Sequence, residues 1–260
     1  MSVEFNLSGQ VVIVTGGGKG VGRGITTRFL EAGAEVVICG RSELEAPIGA
    51  GGRTAHFRAA DVRDVEQIQA VVAYAKDELG RLDVLVNNAG GAPEADAATV
   101  SPRFSEAILR LNLIAPLNFA QAANAVMQGQ DEGGRIINIS SVSGVRPSPG
   151  TAAYGAAKAG LLSLTTTLAV EWAPKVRVNA VTAGMIRTEQ SHLHYGDEDG
   201  IAAVGATVPL GRIGEPEDVG DACLYLASSL SRYMSGANLL LHGGGEKPAF
   251  LAAAKNPSDT

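Results

Sequence analysis

Cysteine is scarce in this 260-residue chain. Cys39 and Cys223 lack the spacing of a metal knuckle or a redox pair, so they read as reduced, buried small hydrophobes. Histidine is scarce too. His192 and His194 stand two positions apart without further ligands at metal-site spacing, so no metal is expected. No apolar run approaches the ~18 residues that a membrane span needs. Positive charge is in deficit, with 21 Lys and Arg against 27 Asp and Glu and a net charge of −6. No basic stripe compensates, which argues against a nucleic-acid partner. Met1 to Gln10 carry Glu4 and no basic leader, so the chain reads as cytoplasmic rather than secreted. Repeats, linkers and low-complexity tracts are also missing, and residues 1–260 read as one domain.

What is present alternates regularly. Hydrophobic residues make up 45%, enough for a substantial core in one α/β domain. Strands are expected at Val11–Thr15, Glu35–Cys39, Thr54–Ala60, Val84–Val86, Arg135–Ser140, Val176–Val181 and Asn238–His242. Helices are expected after Gly22 through Ala32 and over Val65–Leu79, Pro102–Met127, Thr151–Ala173 and Pro216–Ala227. That order implies a doubly wound parallel sheet of about seven strands, with helices on both faces and right-handed crossovers. The polar stretch from Glu189, to about residue 207, reads as a flap. Residues 246–260 read as a tail, loose over 256–260.

The first strand runs straight into Gly16-Gly17-Gly18-Lys19-Gly20-Val21-Gly22 and a helix. Strand, glycine turn and helix together place backbone N–H groups and a helix N-terminus against a pyrophosphate. The second strand ends in Gly40-Arg41. A carboxylate there would read the adenine ribose of NAD, whereas an arginine accommodates the 2′-phosphate of NADP. Arg41 and Lys19 therefore favour NADP(H) over NAD(H), although Glu43 and Glu45 keep NAD(H) open. The fourth strand ends in Asn87-Asn88-Ala89-Gly90, where Asn87 reads as a brace and Gly90 as a close backbone approach to the cofactor.

Ser141 follows the fifth strand, and Tyr154 and Lys158 lie four apart on one helix face. A Tyr-x-x-x-Lys pair alone is often only a solvated face. Together with a hydride carrier it specifies carbonyl reduction or alcohol oxidation. An ammonium near a phenol lowers a pKa of about 10, so the tyrosine can exchange a proton, and a serine hydroxyl steadies the carbonyl oxygen.

These stretches, in this order from Leu7 to Gly245, resemble a short-chain dehydrogenase/reductase of the compact single-domain type, with a Rossmann fold. The overall pattern is nearest to 3-oxoacyl reductases. The resemblance implies Tyr154 as general acid/base, Ser141 as the carbonyl-orienting hydroxyl, Lys158 on the nicotinamide ribose, and Asn112 holding a water in the proton relay. It also implies cofactor contacts from Gly16, Gly18, Lys19, Gly20, Val21, Gly22, Arg41, Asp61 and Val62 at the adenine, Asn88, Ala89, Gly90, Gly184, Ile186 and Thr188. A homo-oligomer, tetramer or dimer, is implied through the small-residue face of the Tyr-Lys helix and the last strand. Two departures stand out: Ala183-Gly184 where members have Pro-Gly, and His242 where they have an acid before two glycines.

Ser143, Val145, Met185, His192 and Tyr195 are the expected substrate contacts, with Gly91, Ala92, Pro93 and His194 nearby. Such a mostly apolar pocket suits a lipid-like, steroid-like or CoA-linked 3-oxo or 3-hydroxy small molecule. The acidic stretch from Gln128 to Glu132 argues against an acidic carrier protein. The four-residue Tyr–Lys step argues against an enoyl reductase, and the intact Ser, Tyr and Lys argue against a non-catalytic cofactor sensor.

Overall fold

The computed structural model describes residues 5–253. The expected looseness of 256–260 and the reading of residues 1–4 lie outside the described residues. The strands are β1 (Val11–Thr15), β2 (Glu35–Gly40), β3 (Gly49–Ala50), β4 (Arg53–Thr54), β5 (His56–Ala59), β6 (Val84–Asn87), β7 (Gly134–Ser141), β8 (Val176–Ala183) and β9 (Asn238–Leu241). The α-helices are α1 (Gly20–Glu31), α2 (Val65–Glu78), α3 (Pro102–Leu109), α4 (Ala115–Gln128), α5 (Ala152–Glu171), α6 (His192–Tyr195), α7 (Glu198–Thr207), α8 (Pro216–Ala227) and α9 (Ala249–Ala253).

Seven strands form one parallel sheet in the order β5-β2-β1-β6-β7-β8-β9. The chain winds outward from β1 to β5, then returns past β1 to build β6 to β9. Its direction reverses beside β1, and open sheets of this kind bind ligands in the crevice at that reversal. Both faces of the sheet are covered, so successive strand residues are apolar on either side. Val12, Val14, Ile137, Ile139 and Val181 share a core with Ile25 and Phe29 of α1 and Val219 and Cys223 of α8. Val11, Ile13, Ile136 and Val178 share the other core with Ile68 of α2, Phe119 of α4 and Leu168 of α5. Burial raises the pKa of both cysteine thiols. They are packing groups, not nucleophiles.

Two expectations need correction. The helix expected over Pro102–Met127 is interrupted by a π-helical turn, Arg110–Ile114. Pro116 has no N–H to give the Asn112 carbonyl four residues earlier, and a wider turn absorbs that lost bond. The strand expected from Thr54 begins at His56, because Thr54 belongs to the small β3–β4 hairpin. That hairpin turns on Gly51 and Gly52, both at positive φ (58° and 74°), which other residues rarely adopt. The stretch read as a flap carries α6 and α7, the latter capped by Asp197, whose carboxylate accepts the Gly200 N–H at 3.0 Å. The tail stretch includes α9, which starts at Ala249.

Candidate active site

Strand β7 delivers Ser141 at its carboxyl end, level with Ala183 of β8. Its hydroxyl caps a short 3-10 turn, Val142–Gly144, by accepting the Ser143 N–H at 3.2 Å. A loop then leads into α5, whose first turn carries Tyr154 and whose next turn carries Lys158. The Lys158 ammonium lies 5.5 Å from the centre of the Tyr154 ring and donates to the Ile139 carbonyl at 2.8 Å. Ser141, Tyr154 and Lys158 therefore meet at the carboxyl edge of the sheet.

Burial governs the electrostatics. Lys158 is 4% exposed, and loss of water lowers its pKa from an ordinary 10.5 to about 8. Tyr154 was expected to lie low. Instead burial raises it, and the nearby Ser141 hydroxyl opposes that rise without cancelling it. The ammonium is directed at the Ile139 carbonyl, so desolvation wins at the phenol. A tyrosine held neutral is a proton donor, and a lysine near 8 is still mostly an ammonium at neutral pH.

Asn112 sits fully buried in the π turn. Its Oδ1 accepts the Gly91 N–H at 2.9 Å, and its Nδ2 donates to the carbonyls of Gly91 and Ile108, each at 3.0 Å. Gly90 lies between Asn112 and Lys158: a Cβ there would come within 2.6 Å of Asn112 Oδ1 and 3.4 Å of Lys158 Nζ. Asn87 braces the interior, donating to Pro116 O at 3.1 Å and Asn138 Oδ1 at 3.0 Å.

The glycine turn lies alongside. Gly16 adopts φ 63°, and a Cβ on Gly22 would fall 2.2 Å from the Gly16 carbonyl, so these backbones meet only without side chains. Thr15 Oγ1 accepts the N–H groups of Asn88 and Ala89, each at 2.9 Å. The Asn88 amide donates back to the Thr15 and Gly16 carbonyls. Asn88 thus holds the turn to β6, and its NH2 is committed there rather than to a ribose.

Gly18 rests against Leu44, Lys19 occupies the position before α1, and Val21 packs on the α1-side core. Arg41 is exposed directly after β2. Asp61 was expected at the adenine, but its carboxylate is gripped by the Arg63 guanidinium (2.9 and 2.5 Å), which lowers its pKa to about 2. Arg41 adds a smaller pull. Val62 is buried beneath it. These groups fit a dinucleotide: a backbone cradle closed to side chains, a twelve-residue helix pointing its N-terminus at it, and cations at its rim.

The substrate contacts divide. Val145, Gly184 and Met185 line a cavity of about 220 Å³ beyond Ser141, together with Arg146, His242 and Glu246. Tyr195 stands in the field of Arg146 and Glu246, although burial is the main cause of its raised pKa. Ser143 accepts from the Ser148 hydroxyl at 3.0 Å in the loop before α5. His192 is elsewhere, in a cleft of about 490 Å³ with Gly20, Arg23, Thr188 and Glu189. His194 is exposed. Ile186 bridges to Gly214.

Sequence reasoning missed several of these groups. Arg146 and Glu246, which both line this cavity, form an ion pair at 2.5 Å, so its wall is more polar than expected. The Glu189 carboxylate accepts the Gly20 N–H at 3.0 Å, closing the flap onto the glycine turn. A charge five positions after Ser141 was the visible signal for Arg146. Glu189, 169 positions from Gly20, offered none.

Residues 16–246 match a family model described as enoyl-(acyl carrier protein) reductase. An uncharacterized oxidoreductase of Mycobacterium tuberculosis is 36% identical, over 92% of this chain and 93% of the relative. A 3alpha-hydroxysteroid dehydrogenase of Mediterraneibacter gnavus is 35% identical over 91% and 97%, and a 2-dehydro-3-deoxy-D-gluconate 5-dehydrogenase of Escherichia coli is 33% identical over 92% and 96%. Among solved structures, a short-chain dehydrogenase/reductase of Mycobacterium marinum superposes with a TM-score of 0.85 at 33% identity, covering 94% of this chain and 98% of that one. The aldohexose dehydrogenase of Thermoplasma acidophilum gives 0.85 at 29%, covering 96% of each. Glycine turn, parallel sheet, Ser-Tyr-Lys edge and full-length similarity agree, and the chain belongs to the short-chain dehydrogenase/reductase family of NAD(P)-dependent oxidoreductases.

Proposed function

We propose that the chain interconverts a ketone and a secondary alcohol with NADP(H) in preference to NAD(H). The meeting of Ser141, Tyr154 and Lys158 at the carboxyl edge carries this reading. The nicotinamide, when bound, supplies or accepts the hydride. Tyr154, kept neutral by burial, gives its proton to the carbonyl oxygen in reduction and takes it back in oxidation. The Ser141 hydroxyl donates to the same oxygen, where negative charge develops. The Lys158 ammonium supports the phenolate left behind and holds the nicotinamide ribose. Asn112, beside it, keeps the Gly91 backbone in place, and the family resemblance gives it a water of the proton relay.

The cofactor preference rests on Lys19 and Arg41 at the rim of the turn and on the absence of a carboxylate at the end of β2. The relatives named above differ in substrate, so they do not choose one. We keep a free or CoA-linked oxo or hydroxy compound, including lipid-like and steroid-like ketones, over a carrier-bound substrate. Arg146, His242 and Glu246 in the cavity wall favour one that carries a polar group. A cytoplasmic homo-oligomer acting as one domain completes the proposal. The oligomer is supported by the small residues Ala152, Ala156 and Ala159, exposed on α5.

Tyr154→Phe tests the mechanism. Turnover should vanish while NADPH binding, followed by nicotinamide fluorescence, stays near wild type. A fully active variant would remove Tyr154 from the acid/base role.

A further inference from the structure

A mid-sheet strand covered on both faces is expected to be apolar, yet β7 carries Asn138 and Ser140, each 2% exposed. Alternate strand residues share a face. Both point to the face shared with Ile136, where α4 and α5 pack, and both are bonded to α5. Ser140 donates its hydroxyl to the Lys158 carbonyl at 3.1 Å. Asn138 donates to the Thr165 hydroxyl at 2.9 Å, and Thr165 in turn donates to the Leu161 carbonyl at 2.8 Å. The Asn138 oxygen accepts from Asn87, which also holds Pro116 at the start of α4. Lys158 Nζ completes the seam through the Ile139 carbonyl.

Lys158 and Thr165 lie two turns apart on one face of α5, so the strand grips the helix at two levels. That grip has a purpose the apolar packing cannot serve. The start of α5 is rich in alanine and glycine, and dispersion contacts between such surfaces are non-directional, leaving sliding and rotation weakly opposed. Hydrogen bonds at two heights resist both.

We propose that Ser140 and Asn138 are positioning residues, setting the height and rotation of α5 on β7 so that Tyr154 and Lys158 face Ser141. A misplacement of about 1 Å can cost about 100-fold in rate, so the seam governs catalysis without touching substrate. The inference rests on the acid/base reading of Tyr154.

The test compares Ser140→Ala, Ser140→Thr, Thr165→Val and Ile137→Val with wild type. Each is assayed for kcat, KM and pH profile with NADPH and the ketone that wild type reduces fastest in a panel of aliphatic and cyclic ketones. Ile137 lies on the opposite face of β7 and serves as the control for lost stability. Ser140→Ala and Thr165→Val should lower kcat about 10- to 100-fold and displace the alkaline limb of the profile, with NADPH affinity falling much less than kcat. Ser140→Thr, which keeps the hydroxyl, should recover most of the rate. Ile137→Val should lower Tm comparably and leave kcat intact. Retained kcat in Ser140→Ala and Thr165→Val, or a loss no larger than in Ile137→Val, overturns the proposal and leaves the seam purely structural. Tyr154→Phe, run alongside, separates the two ideas: its full activity would refute the acid/base reading on its own.

Discussion

Lys158 is drawn to neutrality by burial alone, and it keeps one backbone acceptor. Two pH effects of opposite kind follow. Reduction needs the ammonium, so kcat should fall as pH rises through about 8, and the fall should be absent from the residual rate of Lys158→Met. Stability moves the other way. The unfolded chain holds this proton up to about 10.5 and the folded chain only to about 8, so the free energy of unfolding rises between those values. Each pH unit of displacement corresponds to about 1.4 kcal/mol. The urea midpoint of wild type should therefore climb across that window more steeply than that of Lys158→Met, and equal slopes would contradict a buried ammonium. Arg41 permits a simpler test. Arg41→Asp should shift the kcat/KM ratio from NADPH towards NADH, and an unchanged ratio would make Arg41 a solvated bystander.

At the scale of elements, the turn between β1 and α1 tolerates no side chain at Gly22. The 2.2 Å approach of a Cβ to the Gly16 carbonyl is a backbone clash that no rotamer relieves. Gly22→Ala should lower Tm and weaken NADPH binding together, measured by thermal melting and fluorescence titration. A neutral result would mean that α1 can shift away from the turn. The π turn shows how a readable signal can be misjudged. Apolar periodicity runs unbroken from Phe104 to Met127, so the pattern specifies one helix, but Pro116 removes the N–H that would have closed the turn at Asn112. The β3–β4 hairpin was not read, because two-residue strands fall below what alternation can specify. Glu189 on Gly20 was not legible, because a contact between α1 and the flap leaves no mark on either segment alone.

At the scale of the molecule, cofactor binding should couple to stability. Ligand at 100 times its Kd stabilises the folded state by about 2.7 kcal/mol, which for a chain of this size corresponds to a rise in Tm of roughly 5–10 °C. NADPH should deliver that rise and NADH a smaller one at equal concentration. The reverse order would point to alcohol oxidation with NAD. No helix among the described residues is long and apolar enough to cross a membrane. The two faces of the sheet carry separate cores, and Ser141, Tyr154 and Lys158 meet at its carboxyl edge.

The sequence by itself determined the winding of the sheet and the positions of Ser141, Tyr154 and Lys158, because strand period, glycine spacing and a four-residue helical step are local properties. It also determined that Asn88 and Asp61 follow the carboxyl ends of β6 and β5. What their side chains do there was decided in three dimensions, by Thr15, Gly16 and Arg63 competing for them. Only the tertiary structure set the protonation balance of Tyr154, since burial raises its pKa by more than the Ser141 hydroxyl lowers it. Only it joined Arg146 to Glu246 and Ser140 to Lys158, because a hydrogen bond or ion pair between distant segments depends on how the chain returns to itself.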